Sequence, residues 1–309
     1  MKNLFTATIL VLSGSLVLLN ASSCKTTATT SGAPKEYPQF FQVGHRGTRG
    51  LMPENTIPSM TKAIEVGANT IEFDVHVSKD GQVLVYHDDS FDPKYTTMPD
   101  GGEIPKEDRA RYTFYQMNYA DIRPFVIGMK PYDAFPQQQR LSTYAPLLSE
   151  MIDSVEQFTK GRNLPQVFYL LEIKSDAKTD GFEQPVPEEF VKKIMAALEP
   201  YHLSHRLIVQ SFDMRPLQVM HRLYPDVKLG FLTGDKKATL EENLAKLAFT
   251  PQFYNPNSEL ATPELVKKCH DLKMLIEPWT VNTAEEMKKI KAMGVDGIIT
   301  DYPNLFKQL

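Results

Sequence analysis

The chain has 309 residues, 42% of them hydrophobic and 23% charged, with a formal net charge of −4. These values are ordinary for a globular protein and leave room for one large α/β domain or two small ones. The acidic balance argues against a nucleic-acid backbone as partner, but not against a small anionic substrate held by local charge.

The first segment is a targeting signal. Lys2 precedes apolar runs over 9–12 and 16–19, and the small residues Ala21, Ser22 and Ser23 precede Cys24. Charged, apolar, then small is the layout of a secretory signal, and the apolar run is short for a membrane-spanning helix. A cysteine just after the small residues resembles a bacterial lipoprotein signal. We read 1–23 as a removed signal peptide and Cys24 as the lipidated first residue of an exported chain. That chain is anchored to a bacterial membrane and faces the periplasm. The alternative is an ordinary signal cleaved near the same point. Residues 24–38 complete the lipidated N-terminus and its small, polar tether (KTTATTSGAPKE, 25–36).

From there to the C-terminus, short apolar runs alternate with helix-period segments. The runs are FFQVG (40–44), TIEFDV (70–75), VFYLLEI (167–173), RLIVQSF (206–212), KLGFLT (228–233), FYNP (253–256), MLIEPWTV (274–281) and DGIIT (296–300). Between them, helical patterns over 55–68 and 284–293 carry capping residues and terminal glycines, and 188–198 places Phe190, Val191, Ile194 and Leu198 on one face. Alternation implies parallel pairing, and eight strands over 39–309 predict a (β/α)₈ barrel. The run QVLVYHD (82–88) follows the second strand after only Lys79-Asp80-Gly81, so it must return antiparallel. Residues 89–140 are rich in proline and aromatics without periodicity, which predicts an inserted small subdomain covering the barrel mouth.

Chemistry-bearing residues gather at predicted strand ends. A two-residue turn at Asp80-Gly81 sets Asp74 opposite His87, so that Glu72, Asp74, His76 and His87 share a face while Tyr86 lies on the other. Carboxylates and a histidine on one face either bind a metal or do acid–base work, unless that face is merely solvated. Glu172 and Lys174 share a face at the end of a very apolar strand, as a metal-site pair or as a structural ion pair. Gly44 and Gly47 flank His45-Arg46, letting backbone approach a ligand while arginine meets phosphate. Cys269 fits the buried face of a helix over 262–273.

GHRG (44–47), PENT (53–56), IEFDVHVSKDG (71–81), VYHD (85–88), LLEIKS (170–175), QSF (210–212), WTVN (279–282) and DGIITDYP (296–303) occur in one order. In that order they resemble the glycerophosphodiester phosphodiesterases, a (β/α)₈ barrel family. The resemblance implies Glu72, Asp74 and Glu172 as metal ligands and His45 and His87 as the acid–base pair. It implies Arg46 and Lys174 as phosphate neutralisers, Glu54 and Asn55 as supports for metal or substrate, and Trp279 as a pocket wall. An all-oxygen ligand set suits Ca²⁺ or Mg²⁺ over zinc. The expected reaction is metal-dependent hydrolysis of a glycerophosphodiester to sn-glycerol 3-phosphate and an alcohol. Attack comes either from water or from the glycerol 2-hydroxyl through a cyclic phosphate. Two further readings stay open: a lysophospholipid- or phosphoinositide-directed diesterase, and a non-catalytic binding lipoprotein.

Overall fold

The computed structural model of the chain describes residues 37–309 together with Met1. The signal over 1–23, Cys24 and the tether as far as residue 36 lie outside the described residues. Among those described, no helix is long and apolar enough to cross a membrane.

In chain order the strands are β1 (Phe41–Gly44), β2 (Thr70–Val77), β3 (Val83–Val85), β4 (Thr96–Thr97), β5 (Val126–Ile127) and β6 (Phe168–Ile173). They continue as β7 (Leu207–Ser211), β8 (Lys228–Thr233), β9 (Phe253–Pro256), β10 (Leu275–Ile276) and β11 (Gly297–Thr300). Eight of them pair in parallel in the order β10-β9-β8-β7-β6-β2-β1-β11. The two ends meet through Asp296 N–H to Ile276 O (3.0 Å), Ile299 N–H to Pro278 O (3.0 Å) and Val281 N–H to Ile299 O (3.0 Å). These bonds close the sheet into a barrel. The expected strand at 274–281 is regular only over Leu275–Ile276, because Pro278 has no N–H to give the ladder.

Seven helices wrap the barrel: α1 (Ile57–Val66), α3 (Leu148–Gly161), α4 (Pro187–Leu198), α5 (Met214–Leu223), α6 (Leu240–Leu247), α7 (Pro263–Asp271) and α8 (Ala284–Lys291). The short α2 (Tyr119–Ile122) belongs to the insertion. The α1 cap differs from expectation: Thr56, not Asn55, accepts from Ser59 N–H. Asn55 is spent on the site described below. Cys269 is fully buried on α7, and burial pushes its thiol up to about 12.

Alternation along the strands explains why this barrel has a dry end and a chemical end. Inward positions at the strand starts are apolar: Phe41 meets Phe168 and Phe253 edge to face at 5.7 and 5.4 Å, with Tyr37 against all three. Each fully buried ring contributes roughly 1.5–3 kcal/mol of transfer free energy. Two and four residues further along, the same inward face carries Glu72 and Asp74 on β2, Glu172 on β6, Gln210 on β7 and Asn255 on β9, all buried. The polar set therefore gathers at the C-terminal ends of the strands, where barrel enzymes keep their sites.

The hairpin register departs from the two-residue turn. Ser78 pairs with Gln82 around the three-residue loop Lys79-Asp80-Gly81, with Gly81 left-handed at φ 82°. Val75 then faces Val85, and Tyr86 N–H bonds Asp74 O at 3.1 Å. Leu84 and Tyr86 thus join the face of Asp74 and His76, reversing the expected side for Tyr86. Both pack into the insertion's own core with Phe91, Tyr95, Phe114 and Phe125. Phe91 stacks on Phe125 at 4.1 Å and meets Phe114 edge-on at 4.9 Å.

Candidate active site

One open cleft of about 290 Å³ at the C-terminal end of the barrel is lined by His45, Arg46, Arg49, Glu72, His87, Glu172, Lys174, Phe212 and Trp279, among others. It is built from three groups: a carboxylate trio, a set of cations and two imidazoles.

Glu72 and Asp74 leave β2 two residues apart, and Glu172 faces Asp74 across the β2–β6 ladder. One oxygen from each lies within 4.8 Å of the others. Glu72 Oε1 is buried without any partner. Asp74 Oδ1 and Glu172 Oε1 approach only Lys174 Nζ, at 3.2 and 2.7 Å, and make no hydrogen bond of good geometry. Two like charges at such a separation repel by about 4 kcal/mol at an effective dielectric of about 20. The consequence is visible in their ionisation. Burial, then the Asp74 and Glu172 charges, push the Glu72 carboxyl well above the usual range. Glu172 is also raised, by burial and by Asp74, with Lys174 opposing. Burial works against ionisation of Asp74 too, yet Lys174, His87, Arg46 and an Asn55 hydrogen bond hold its carboxyl low. Three buried carboxylates face Lys174 and, beside Asp74, Arg46, so full ionisation of the trio leaves negative charge uncompensated. Orphaned oxygens converging on one point fit a hard divalent cation.

Asn55 and Arg46 are held in the left-handed region, at φ 56° and φ 49°. Two non-glycine residues in this conformation at one site mark a backbone shaped for its side chains. Asn55 Nδ2 donates to Asp74 Oδ2 at 2.8 Å, and Asp74 N–H returns a bond to Asn55 Oδ1 at 3.2 Å. Arg46 N–H donates to Glu72 Oε2 at 2.7 Å. Its guanidinium meets Glu54 Oε1 at 2.6 Å and lies 3.6 Å from Asp74 Oδ2. Glu54 gives its other oxygen to Arg49 Nε at 2.6 Å, so it braces two cleft arginines and stands away from the carboxylate trio. The glycines of GHRG serve packing: a Cβ on Gly44 would stand 2.1 Å from Gly47 O, and one on Gly47 2.6 Å from Ser59. That corrects the expectation that they admit a ligand.

His45 Nδ1 bonds Asp301 Oδ1 at 2.7 Å, and its Nε2 lies 4.0 Å from Glu72 Oε2. Asp301 is fixed in turn by Asn282 Nδ2 at 2.7 Å. Burial lowers the His45 imidazole, and Asp301 restores part of the shift. His87 Nδ1 bonds Asp88 Oδ1 at 2.6 Å. Strict alternation in the observed register would turn His87 away from Asp74. It reaches the cleft because β3 ends at Val85, after which His76 Nε2 donates to His87 O at 3.0 Å. Trp279 walls the opposite side, edge-on to Phe212 at 5.4 Å, its Nε1 donating to Asn255 O at 2.9 Å.

The structure therefore brings His45, Arg46, Glu72, Asp74, His87, Glu172, Lys174 and Trp279 together, with Asn55 and Glu54 one layer behind. Sequence reasoning assigned no role to Asp301, Asn282, Asp88, Arg49 or Phe212. Asp301 was within reach, since alternation along β11 continues from Gly297 and Ile299 to Asp301.

The sequence profile of the glycerophosphoryl diester phosphodiesterase family matches residues 45–305. A glycerophosphodiester phosphodiesterase of Bacillus altitudinis is 30% identical over 84% of this chain and 94% of its own. A Silicibacter pomeroyi crystal structure assigned to the same class superposes with a TM-score of 0.76 at 30% identity, covering 89% of this chain and 96% of that one. An Oleispira antarctica phosphodiesterase, solved with the product sn-glycerol-3-phosphate, superposes with a TM-score of 0.66 over 86% of this chain and 94% of that one. At 21% identity that last likeness bears on the fold alone. A (β/α)₈ barrel with a carboxylate trio and two histidines at one mouth, matched from 45 to 305, belongs to the glycerophosphoryl diester phosphodiesterase family and is a phosphoric diester hydrolase.

Proposed function

We propose that this chain hydrolyses small, water-soluble glycerophosphodiesters to sn-glycerol 3-phosphate and an alcohol, using a divalent cation, Ca²⁺ or Mg²⁺, held by Glu72, Asp74 and Glu172. The observation that carries the reading is the pairing of two imidazoles in one cleft, each with Nδ1 on a carboxylate, at 2.7 Å for His45 and 2.6 Å for His87. That bond fixes the tautomer and leaves each Nε2 for a reacting oxygen. A purely binding protein needs no such pair.

When bound, the cation withdraws charge from a phosphoryl oxygen and fixes the phosphorus. Arg46 and Lys174 offset the remaining negative charge of the diester. One imidazole takes the proton of the attacking hydroxyl, from water or from the glycerol 2-hydroxyl; in the second case the product is a cyclic phosphate, which water then opens to sn-glycerol 3-phosphate. The other gives a proton to the alkoxide as the bond from phosphorus to the headgroup oxygen breaks. Trp279 and Phe212 offer apolar faces to the carbon skeleton.

Preference for soluble diesters over lysophospholipids rests on the cleft lining: the insertion's aromatics take no part in it, and the adjoining pocket that shares His87 and Lys174 draws only the charged Asp89 and Arg109 from 89–140. Phe91, Phe114 and Phe125 are instead buried in the insertion's own core. Product analysis on glycerophosphocholine, glycerophosphoethanolamine and lysophosphatidylcholine tests this. Release of sn-glycerol 3-phosphate from the first two, far above turnover of the lysolipid, is the expected result. Faster turnover of the lysolipid overturns it.

We further propose that Cys24 anchors the protein to a bacterial membrane on the periplasmic side, supported by the pattern Lys2, apolar run, Ala21-Ser22-Ser23-Cys24. Metabolic labelling with a fatty acid should mark the native chain and not Cys24→Ser. Equal labelling of both removes the anchor.

A further inference from the structure

The two cleft histidines are backed differently, and the difference points at the insertion. Asp301, behind His45, gives its second oxygen to the neutral amide of Asn282 at 2.7 Å. Asp88, behind His87, gives its second oxygen to a cation: Arg109 Nη2 at 2.7 Å. Arg109 lies in the 3₁₀ segment Lys106–Tyr112 of the insertion, far in sequence from the strands that build the barrel.

Its placement is specified on several sides. Arg109 Nε donates to Ser90 Oγ at 2.9 Å, so the guanidinium spans Asp88 and Ser90 as a fork. Ser90 pairs with Thr113 in an antiparallel bridge, and Phe114 N–H bonds Asp89 O at 2.9 Å. These contacts tie the arginine-bearing segment to the stretch that follows His87. Phe114 anchors the far side in the insertion core, fully buried against Tyr86 at 5.1 Å. The main chain of His87 is held from the other direction by His76.

We propose that Arg109 is a positioning residue for the diesterase reaction, completing a His87–Asp88–Arg109 relay through which the insertion sets the orientation of the His87 ring. Asp88 without Arg109 is a partly exposed carboxylate on a loop, with nothing to stop it rotating away from His87. With the fork closed, one oxygen is committed to the guanidinium and the other can only face Nδ1. His87 then presents Nε2 to the cleft in one orientation, which a reacting proton donor or acceptor requires. This inference rests on the proposed role of His87, and it assigns the insertion a catalytic reason to be rigid.

The test compares Arg109→Gln, Arg109→Lys and His87→Ala in the full chain on glycerophosphocholine. R109Q is expected to lose up to about tenfold in kcat, the low end of the worth of an outer partner of a functional histidine because it acts through Asp88, with KM within about twofold. R109K should recover only part of the loss, since an ammonium restores the charge on Asp88 but not the fork, and millimolar guanidinium should raise kcat of R109Q but not of wild type. Unchanged kcat in R109Q, or a loss shared equally by R109K and untouched by guanidinium, overturns the relay. If R109Q does not fold, Ser90→Ala removes only the hydroxyl that steers the fork, and an unchanged kcat there overturns it equally. H87A separates the two layers: near-normal turnover in H87A refutes the role of His87 itself, whereas an inactive H87A beside a normal R109Q refutes only the relay.

Discussion

The two halves of the acid–base pair are built on unlike foundations. His45 follows β1 and leans on Asp301, which follows β11, so both partners sit on neighbouring barrel strands held by a four-rung ladder. The Asp301 side chain is 4% exposed. His87 stands past the end of a three-residue strand, and its partners Asp88 and Arg109 are 24% and 42% exposed. The first arm is fixed by the barrel that any sequence of this fold must make. The second is fixed by the insertion that follows the hairpin. A barrel can hold one arm constant and leave the other to whatever insertion follows the hairpin.

The largest effects come from removing either ring. His45→Ala and His87→Ala should each lower kcat by roughly two to four orders of magnitude, the usual worth of a general acid or base. Divalent-cation binding and thermal stability should survive in both. A nitrophenyl ester of glycerol phosphate sharpens the comparison, because its leaving group needs no acid. The variant lacking the acid should recover on it and the variant lacking the base should not. Equal loss by both on both substrates contradicts a division of labour.

Intermediate effects should rank the two foundations. Asp301→Asn is expected to cost about ten- to a hundredfold in kcat. Asp88→Asn should cost less, because solvent screens its more exposed charge, and its deficit should change more with added salt. A larger loss in D88N than in D301N reverses the ranking.

The smallest effect belongs to a residue neither arm uses. Glu277 is fully buried on the inward face of the barrel, and neither of its oxygens has a partner. Burial, then the charge of Asp296, push its carboxyl well above the ordinary 4.5. A folded-state pKa above the unfolded one means the native protein keeps a proton that the unfolded chain has released. The associated stability is full below about pH 4.5 and declines as pH rises towards the folded-state value. Melting temperature should therefore fall more steeply between pH 5 and 8 in the wild type than in Glu277→Gln, by a few degrees. Parallel curves for the two proteins contradict this.

Much of the molecule was legible because alternation does two jobs at once. The same period that marked 70–75 and 167–173 as strands put Glu72, Asp74, Glu172 and Lys174 on one inward face. His87 was placed in the cleft for the wrong reason: a two-residue turn gave the wrong register, and only the end of β3 restored the outcome. Gly81 in the left-handed region is compatible with either loop length, so the turn sequence alone did not decide. The helical pattern pointed to Asn55 as a cap and the resemblance pointed to it as a support; the two uses need the same side-chain amide, and only the bond to Asp74 separates them. Arg109 carried no signal, since its segment has no periodicity and its partner lies 21 positions away. The segment 89–140 was expected to cover the barrel mouth, with some of its aromatics facing the pocket. They are numerous enough to bury one another, a possibility that composition does not separate from pocket lining.

Trp279 is the single tryptophan of the chain and stands in the cleft wall, so its fluorescence reports on the site alone. The most direct measurement is turnover of glycerophosphocholine after exhaustive chelation, followed by titration with Ca²⁺ or Mg²⁺ while Trp279 emission is recorded, in wild type and in Glu172→Ala. Chelated wild type should be inactive, and activity and emission should return together along one saturation curve. In E172A that curve should shift to much higher cation concentration. Full turnover by the chelated enzyme, or an unshifted curve in E172A, contradicts a diesterase that works through a cation held by Glu72, Asp74 and Glu172.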